Sequence, residues 1–428
     1  MKKKDETPKL RKGYKYSLRL TPHQRSLVDL FISGSNIVYN RALEIQVGQY
    51  KLYEEYVKEH GKEKAKEAEI VSKFSYPKLS LMYQPWRAED SEEGRILRRC
   101  PTNMIVQKIK DLELAYRNFF RGDARRPTKK SDENAGSFRI LIPEHFAPSD
   151  PYVFRKEEKV PFKFPLGVIR VPLLGKLTYW QSRPFLGTPK NITISRKADR
   201  YFVSIQTERD WDTETPELNA PKVVAIDFGL EPFISLSNGE QYFAPNPYQK
   251  YEDHLSNLTK CLKKCQNGSN KYKKYQLKFE RLHRDIQFIR EDWMHKLTTD
   301  IANRFDVVYI PDIKIKDWDT RKPKGKGLDE ETKNQLSLDD KLKRKEIHKK
   351  LRDCAWEKFT RFLAYKLEER CAKLIKIDIP KDSLIKTDSI IKTSDTQINP
   401  GLFFPYMNSS VENAQKLLER AKELSTSL

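Results

Sequence analysis

From Tyr14 to Leu20 the apolar side chains Tyr14, Tyr16, Leu18 and Leu20 alternate with Lys15, Ser17 and Arg19, the period of a half-buried strand. A helix follows at once. Thr21-Pro22-His23-Gln24 supplies an N-cap, a proline at the first helical position and a glutamine spaced to close a capping box. Leu27, Leu30, Phe31, Gly34 and Val38 then recur at three- and four-residue steps, one stripe for burial. Two more helical tracts are predicted, one through 48–70 and one from Thr102 to Phe120, where Ile105, Ile109, Leu112 and Tyr116 keep helical spacing. Gly122 to Gly136 is polar, basic and free of large apolar residues, which reads as a loop. Strands dominate beyond it: Ser137–Ile142, Val168–Val171, Lys176–Trp180 and Asn191–Arg196 are short and rich in β-branched or aromatic residues, and Ala198-Asp199-Arg200 turns the last into Tyr201–Thr207. An antiparallel barrel of five or more strands is the expected way to bury them.

Asp210 to Pro221 is acidic and contains proline, and after it the all-β pattern gives way to strands alternating with long helices. A domain boundary is predicted near 216–221. Lys222–Asp227 reads as a strand, and Phe233–Leu236 and Gln241–Phe243 form a hairpin around Asn238-Gly239. Tyr248–Arg304 is mostly helical, Asp306–Lys314 extended, Asn334–Ala372 helical, Lys373–Ile379 extended and Ser409–Leu424 helical. No segment repeats. At 428 residues the chain has room for two or three packed units.

Charge narrows the partner. There are 82 Lys and Arg against 60 Asp and Glu, a formal net charge of +22. Such an excess raises self-repulsion without helping chemistry on a small metabolite, whereas a nucleic acid releases counterions for each phosphate neutralised. No apolar run is long enough to span a bilayer, and Met-Lys-Lys-Lys-Asp-Glu carries no apolar segment for a signal peptide, so a cytoplasmic, nucleoid-associated protein without a membrane partner is expected. Cys100, Cys261, Cys265, Cys354 and Cys371 are too scattered for a disulfide framework and contain no C-x-x-C pair. Cys261 and Cys265 lie in a lysine-rich stretch with no further His or Cys to complete a zinc site.

The order strand, hairpin, helices, strand, helix, strand, helix, with Asp227 in the first strand, is that of a ribonuclease H-like fold, in which carboxylates from separate elements hold two divalent metals for attack on a phosphodiester. The chain resembles the transposon-encoded TnpB proteins, compact relatives of type V CRISPR effectors with a split RuvC nuclease domain. The resemblance rests on Tyr16-Ser-Leu-Arg-Leu-Thr-Pro22, Asn36-Ile-Val-Tyr-Asn40, Ala115-Tyr-Arg-Asn-Phe-Phe120, Val223-Val-Ala-Ile-Asp-Phe-Gly229, Phe305-Asp-Val-Val-Tyr-Ile310 and Ala355-Trp-Glu-Lys-Phe-Thr-Arg-Phe-Leu-Ala-Tyr-Lys366. It implies an α+β multidomain chain: a β-barrel wedge domain from 1–21 and 137–216, a helical recognition domain at 22–136, and a RuvC (RNase H-like) α/β domain at 217–428.

Departures from the family pattern carry a second expectation. The first nuclease motif keeps its aspartate, Asp227, but Pro311 stands where the second motif has a glutamate and Val411 where the third has an aspartate. Asp312 and Glu412 do not replace them, because successive side chains on a strand face opposite ways and one step on a helix turns a side chain by about 100°. The zinc ribbon of the family also has no counterpart, since Pro380–Met407 contains no cysteine. By resemblance the closest pattern is that of the nuclease-dead TnpB-like repressors, TldR. The expectation is therefore a chain that is not an enzyme, with no catalytic residue, no zinc and no catalytic magnesium, and Asp227, Pro311 and Val411 as vestigial positions.

The residues left to bind nucleic acid are Lys263, Lys264, Lys271, Lys273, Lys274, Lys278, Arg281 and Arg284, interleaved with Tyr272, Tyr275, Phe279 and Phe288; Arg139 is added on the strand side, and a further basic block runs from Arg321 to Lys345. The resemblance implies a monomer bound to a guide RNA that opens double-stranded DNA beside a short adjacent motif, read by Tyr76, Ser80 and Thr102, with sequence recognition delegated to base pairing. Repression of a promoter by a stable R-loop follows from that reading, and an active RNA-guided endonuclease with relocated ligands is the alternative.

Overall fold

The alternation that opens the chain is drawn out as β1 (Lys9–Arg19), and the computed structural model describes residues 9–67, 76–130, 135–142, 154–157, 166–210, 221–312, 354–377 and 410–426. These divide into two compact units, Met1–Trp211 and Asp212–Leu428, so the division falls a few residues ahead of the 216–221 expected from composition.

In the first unit, Thr21 and Gln24 close the capping box reciprocally: the Gln24 N–H donates to Thr21 Oγ1 at 3.2 Å and the Thr21 N–H to Gln24 Oε1 at 3.1 Å. α1 (Pro22–Glu67) begins there, and the tract expected separately at 48–70 is its continuation, interrupted at Gly61, whose φ of 86° no helix allows. α2 (Tyr76–Ala88), α3 (Glu92–Arg98) and α4 (Thr102–Phe120) follow, α4 with the predicted bounds. Ile105, Ile109, Leu112 and Tyr116 are all buried, so the helical stripe read from the sequence is the packed face. Gly34 belongs to the α1 stripe because the Cys100 thiol passes where a side chain would stand: a Cβ there would lie 2.4 Å from Sγ.

The strands of this unit are β1, β2 (Ala135–Leu141), β3 (Phe154–Glu157), β4 (Leu166–Val171), β5 (Gly175–Trp180), β6 (Thr188–Lys197) and β7 (Arg200–Asp210), hydrogen-bonded in the order β2-β6-β7-β1-β5-β4-β3. All pairs are antiparallel. Among the described residues no pair joins β2 to β3, so the sheet is open, not the closed barrel expected. β1 sits in its interior, between β7 and β5. Phe31 of α1 meets Phe138 of β2 edge to face at 5.6 Å, and the buried Lys108 of α4 donates to the Ser137 carbonyl at 2.9 Å. Burial, with Lys130 beside it, pulls the Lys108 ammonium below the usual lysine range.

The second unit is a five-stranded sheet in the order β10-β9-β8-β11-β12, built from β8 (Val223–Phe228), β9 (Ile234–Leu236), β10 (Gln241–Tyr242), β11 (Val307–Pro311) and β12 (Lys373–Ile377). β8, β9 and β10 pair antiparallel, as the Asn238-Gly239 hairpin predicts, while β11 runs parallel to both β8 and β12. Between β10 and β11 lie α5 (Pro247–Lys250), α6 (Glu252–Lys263) and α7 (Asn270–Arg304); α8 (Trp356–Glu368) precedes β12 and α9 (Val411–Thr426) follows it. Residues 334–353 of the expected 334–372 helix lie outside the described residues. One face of the sheet puts Val224, Ile226, Phe228, Val308 and Ile310 against Met294, Leu297 and Ile301 of α7 and Phe359 and Leu363 of α8. The other buries Ala225 and Ile377 under Leu417 and Ala421 of α9. No helix among the described residues is long and apolar enough to cross a membrane.

A close approach in the first sheet gives a direct test. Gly167 of β4 pairs with Tyr179 of β5, and a Cβ at 167 would stand 2.2 Å from Cζ of that ring. The ring has no room to retreat, because Tyr179 is buried and lies 5.1 Å from the Tyr16 ring. Gly167→Ala is expected to lower stability by about 1–3 kcal/mol, seen as a lower denaturant midpoint at unchanged slope. An unchanged midpoint would show that the ring gives way freely.

Candidate functional site

Asp227 is the next-to-last residue of β8, in the middle of the second sheet, and is 3% exposed. Strand alternation sends Val224, Ile226 and Phe228 into the larger core, leaving Ala225 and Asp227 on the face under α9. There Oδ2 accepts the Ser410 N–H at 2.9 Å and the Asn413 side-chain amide at 3.4 Å. Ser410 caps α9, its Oγ accepting the Asn413 N–H at 3.0 Å, so Asp227 takes the N–H that a capping-box glutamate would otherwise satisfy from within the helix. Burial pushes the Asp227 carboxyl up to about 6, and the donors from Ser410 and Asn413 only partly offset it. Asn413 Oδ1 is buried beside it without a hydrogen-bond partner among the described residues.

The other two nuclease-motif positions belong to the same neighbourhood. β11 pairs with β8 as Val307↔Val223, Val308↔Val224 and Tyr309↔Ala225, and strand alternation puts Pro311 on the same face of the sheet as Tyr309. Val411 is the first residue of α9, directly after Ser410. Neither carries a donor atom for a metal. Asp312 lies beyond the strand end, 3.8 Å from Lys376 Nζ, and Glu412 pairs along its helix with Lys416 at 3.6 Å. Two divalent ions need several converging carboxylates, and the side chains gathered at Asp227 offer one carboxylate and one amide oxygen, so the described residues do not fit a two-metal cluster. Among the described residues no three His, Cys, Asp or Glu side chains are grouped to hold a metal ion. Asp382, Asp388 and Asp395 lie outside the described residues.

The basic residues separate into two kinds. Lys263 ends α6, Lys264 follows it, and Lys271, Lys273, Lys274, Lys278 and Arg281 are exposed on the first half of α7. Arg284 departs from expectation: it is buried, and its Nε donates to Asp285 at 3.0 Å. Arg139 on β2 is likewise engaged, by Asp111 at 2.5 Å. Thr102 is exposed at the start of α4, while Tyr76 and Ser80 lie in the first turns of α2. The Arg321–Lys345 block lies outside the described residues. Ser410 is a site residue that the sequence reading does not single out, although Ser410-Val411-Glu412-Asn413 carries the spacing of a helix cap.

Residues 202–321 match the OrfB_IS605 family, described as "Probable transposase". Over 303 residues, 71% of this chain and 66% of the relative, the sequence is 27% identical to "Putative RNA-guided DNA endonuclease InsQ" of Escherichia coli (strain K12). Over 386 residues, 90% of this chain and 82% of the relative, it is 22% identical to a "Putative RNA-guided DNA endonuclease" of Streptomyces pristinaespiralis. A solved Cas12f1–sgRNA–target DNA complex aligns at 11% identity over 96% of this chain and 97% of that chain, with a TM-score of 0.42. These names correct the expectation that the chain is not an enzyme, because the proteins it is similar to are named as endonucleases. That expectation rests on motif letters at positions 311 and 411, and letters at two positions measure donor atoms there, not activity.

The buried carboxylate sets a pH dependence. A carboxyl held at about 6 against an ordinary 3.8 binds its proton more tightly folded than unfolded, so its contribution to stability is full below about 4 and is lost as pH rises through 6. The gap corresponds to about 3 kcal/mol. Asp227→Asn keeps an oxygen for the Ser410 N–H and removes the charge, so thermal melts should show stabilisation at pH 7.5 and little change at pH 4. Destabilisation at pH 7.5 would mean that the anion itself holds α9.

Proposed function

We propose that the chain is a guide-RNA-dependent, sequence-specific DNA-binding protein that represses transcription by holding an R-loop over a promoter. The observation that carries this reading is the row of exposed cations at Lys263, Lys264, Lys271, Lys273, Lys274, Lys278 and Arg281 in a chain of charge +22, a surface suited to phosphates. Two relatives whose names describe RNA-guided action on DNA support RNA and DNA as that polyanion. The RNA supplies sequence by base pairing, and the protein supplies a positive surface that tracks the heteroduplex backbone. The same names favour a second reading, in which the guide directs strand scission; occupancy and scission are separable outputs of one targeted complex.

The test begins with RNA that co-purifies with the protein from its native host, sequenced to give the guide. Matched duplex DNA should bind at least about 10³-fold more tightly than a scrambled duplex. Equal affinity for both would overturn the proposal. A promoter reporter carrying the matched site should fall in output, and plasmid incubated with magnesium and the same complex reports scission. Lys273→Ala with Lys274→Ala should weaken binding for every sequence alike and flatten the salt dependence by about 1 for each phosphate no longer neutralised. A loss of affinity confined to matched DNA would argue that these lysines read sequence.

A further inference from the structure

The end of α4 carries an aromatic ring, Phe120, that packing against Tyr116 and Phe119 leaves exposed. Tyr116 is 1% exposed and belongs to the core, whereas Phe120, one turn on, is 53% exposed. Phe120 lies 5.9 Å from the half-buried Tyr50 of α1 and 5.3 Å from Phe119, and Tyr50 lies 6.2 Å from Tyr53.

The segment after α4 brings cations to these rings. Lys130 exchanges hydrogen bonds with Asn40, its N–H donating to Oδ1 and its carbonyl accepting from Nδ2, both at 2.8 Å, and Lys129 pairs with Glu44. Residues 124–130 are thereby tied along α1, and Arg126 is set 5.3 Å over the Tyr50 ring, with Arg125 exposed next to it. The exposed Phe120 ring, with Tyr50 beneath Arg126 beside it, matches the two parts of an unpaired nucleotide, a base that stacks and a phosphate that pairs with arginine.

We infer that Tyr50, Phe120 and Arg126 form a stacking site for unpaired nucleotides of single-stranded RNA. The inference rests on the proposed RNA partner and adds the place where its unpaired bases are held. RNA is the favoured source because a folded RNA displays unpaired bases in loops from the start, whereas duplex DNA offers none until it is opened. Stacking tolerates any base, so the site holds RNA without reading it.

The experiment measures binding of labelled oligouridine, oligothymidine and a short RNA duplex to the full chain across a salt series. Phe120→Ala should weaken oligouridine binding roughly tenfold at an unchanged salt slope and leave the RNA duplex unaffected. Phe120→Leu, which keeps apolar bulk without a π face, should lose as much, and Phe120→Trp should restore binding. Arg126→Ala should weaken binding and lower the salt slope by about 0.7. Unchanged oligouridine affinity in Phe120→Ala, an equal loss on the duplex, full binding by Phe120→Leu, or a loss seen only with oligothymidine would each overturn the inference. The outcomes separate from the function test: absence of a guide-matched preference defeats the function while the oligouridine difference stands, and a preserved preference with no oligouridine difference defeats only the stacking site.

Discussion

A carboxylate buried beneath the start of the last helix is the constraint on which the second unit depends. α9 meets the sheet through Ala225, Ile377, Leu417 and Ala421, with Tyr309 and Leu418 packed against them. The Asp227–Ser410 bond adds a directional contact at the start of the helix, joining the middle of the sheet to a backbone N–H that a helix start leaves without a partner. The strand that carries Asp227 also carries Val224, Ile226 and Phe228 into the larger core. A slip of one residue would drive the carboxylate into that core and turn three large apolar residues toward α9, so the register of β8 is specified from both sides.

Charge is distributed in α7 along the same logic of cost and partner. Its second half pairs its charges: Lys296 with Asp292 at 2.6 Å, Arg304 with Asp300 at 3.1 Å, and Glu291 with Lys358 of α8 at 2.5 Å. Arg304 also clamps Glu240 beyond β9, holding that carboxyl down at about 2. The first half sets like charges at helical neighbours, Lys271 with Lys274, Lys274 with Lys278, and Lys278 with Arg281. Each such pair costs a few tenths of a kcal/mol in an isolated helix. The first half of α7 thus presents Lys271, Lys273, Lys274 and Lys278 as an exposed cationic face, while Arg284 on its buried side pairs with Asp285.

Where the sequence is legible, local chemistry and tertiary context agree. The capping box at Thr21, the stripe of α4 and the Asn238-Gly239 hairpin all appear in the fold as the pattern predicts, because each depends on neighbours in sequence. β3 carries no such signal: Phe154-Arg155-Lys156-Glu157 has no apolar alternation, and its strand state comes from pairing with β4. Hydrophobic patterning divides α1 in two because its apolar stripe gives way to a stretch rich in Lys and Glu, yet no proline stops it before Gly61. Arg284 reads as part of a basic run, but it shares a seven-residue line with Glu291 and Thr298 on the inner side of α7, and a run of charges takes no account of faces. At the site, motif order places Asp227, Pro311 and Val411 in one neighbourhood; the acceptor role of Asp227 is not legible because its partner is a backbone N–H with no side-chain signature.

Arginine and lysine divide the two surfaces by the kind of interaction each makes. Lysine on α6 and α7 is a strongly hydrated point charge on a flexible stem, indifferent to the orientation of the phosphate it meets, which suits a backbone that must pass by in any sequence. Arginine carries its charge on a plane, and Arg126 stands 5.3 Å over the Tyr50 ring. The tie of Lys130 to Asn40 holds the segment after α4 along α1. The arginine surface can favour one local geometry, and the lysine surface can follow a polyanion of any sequence.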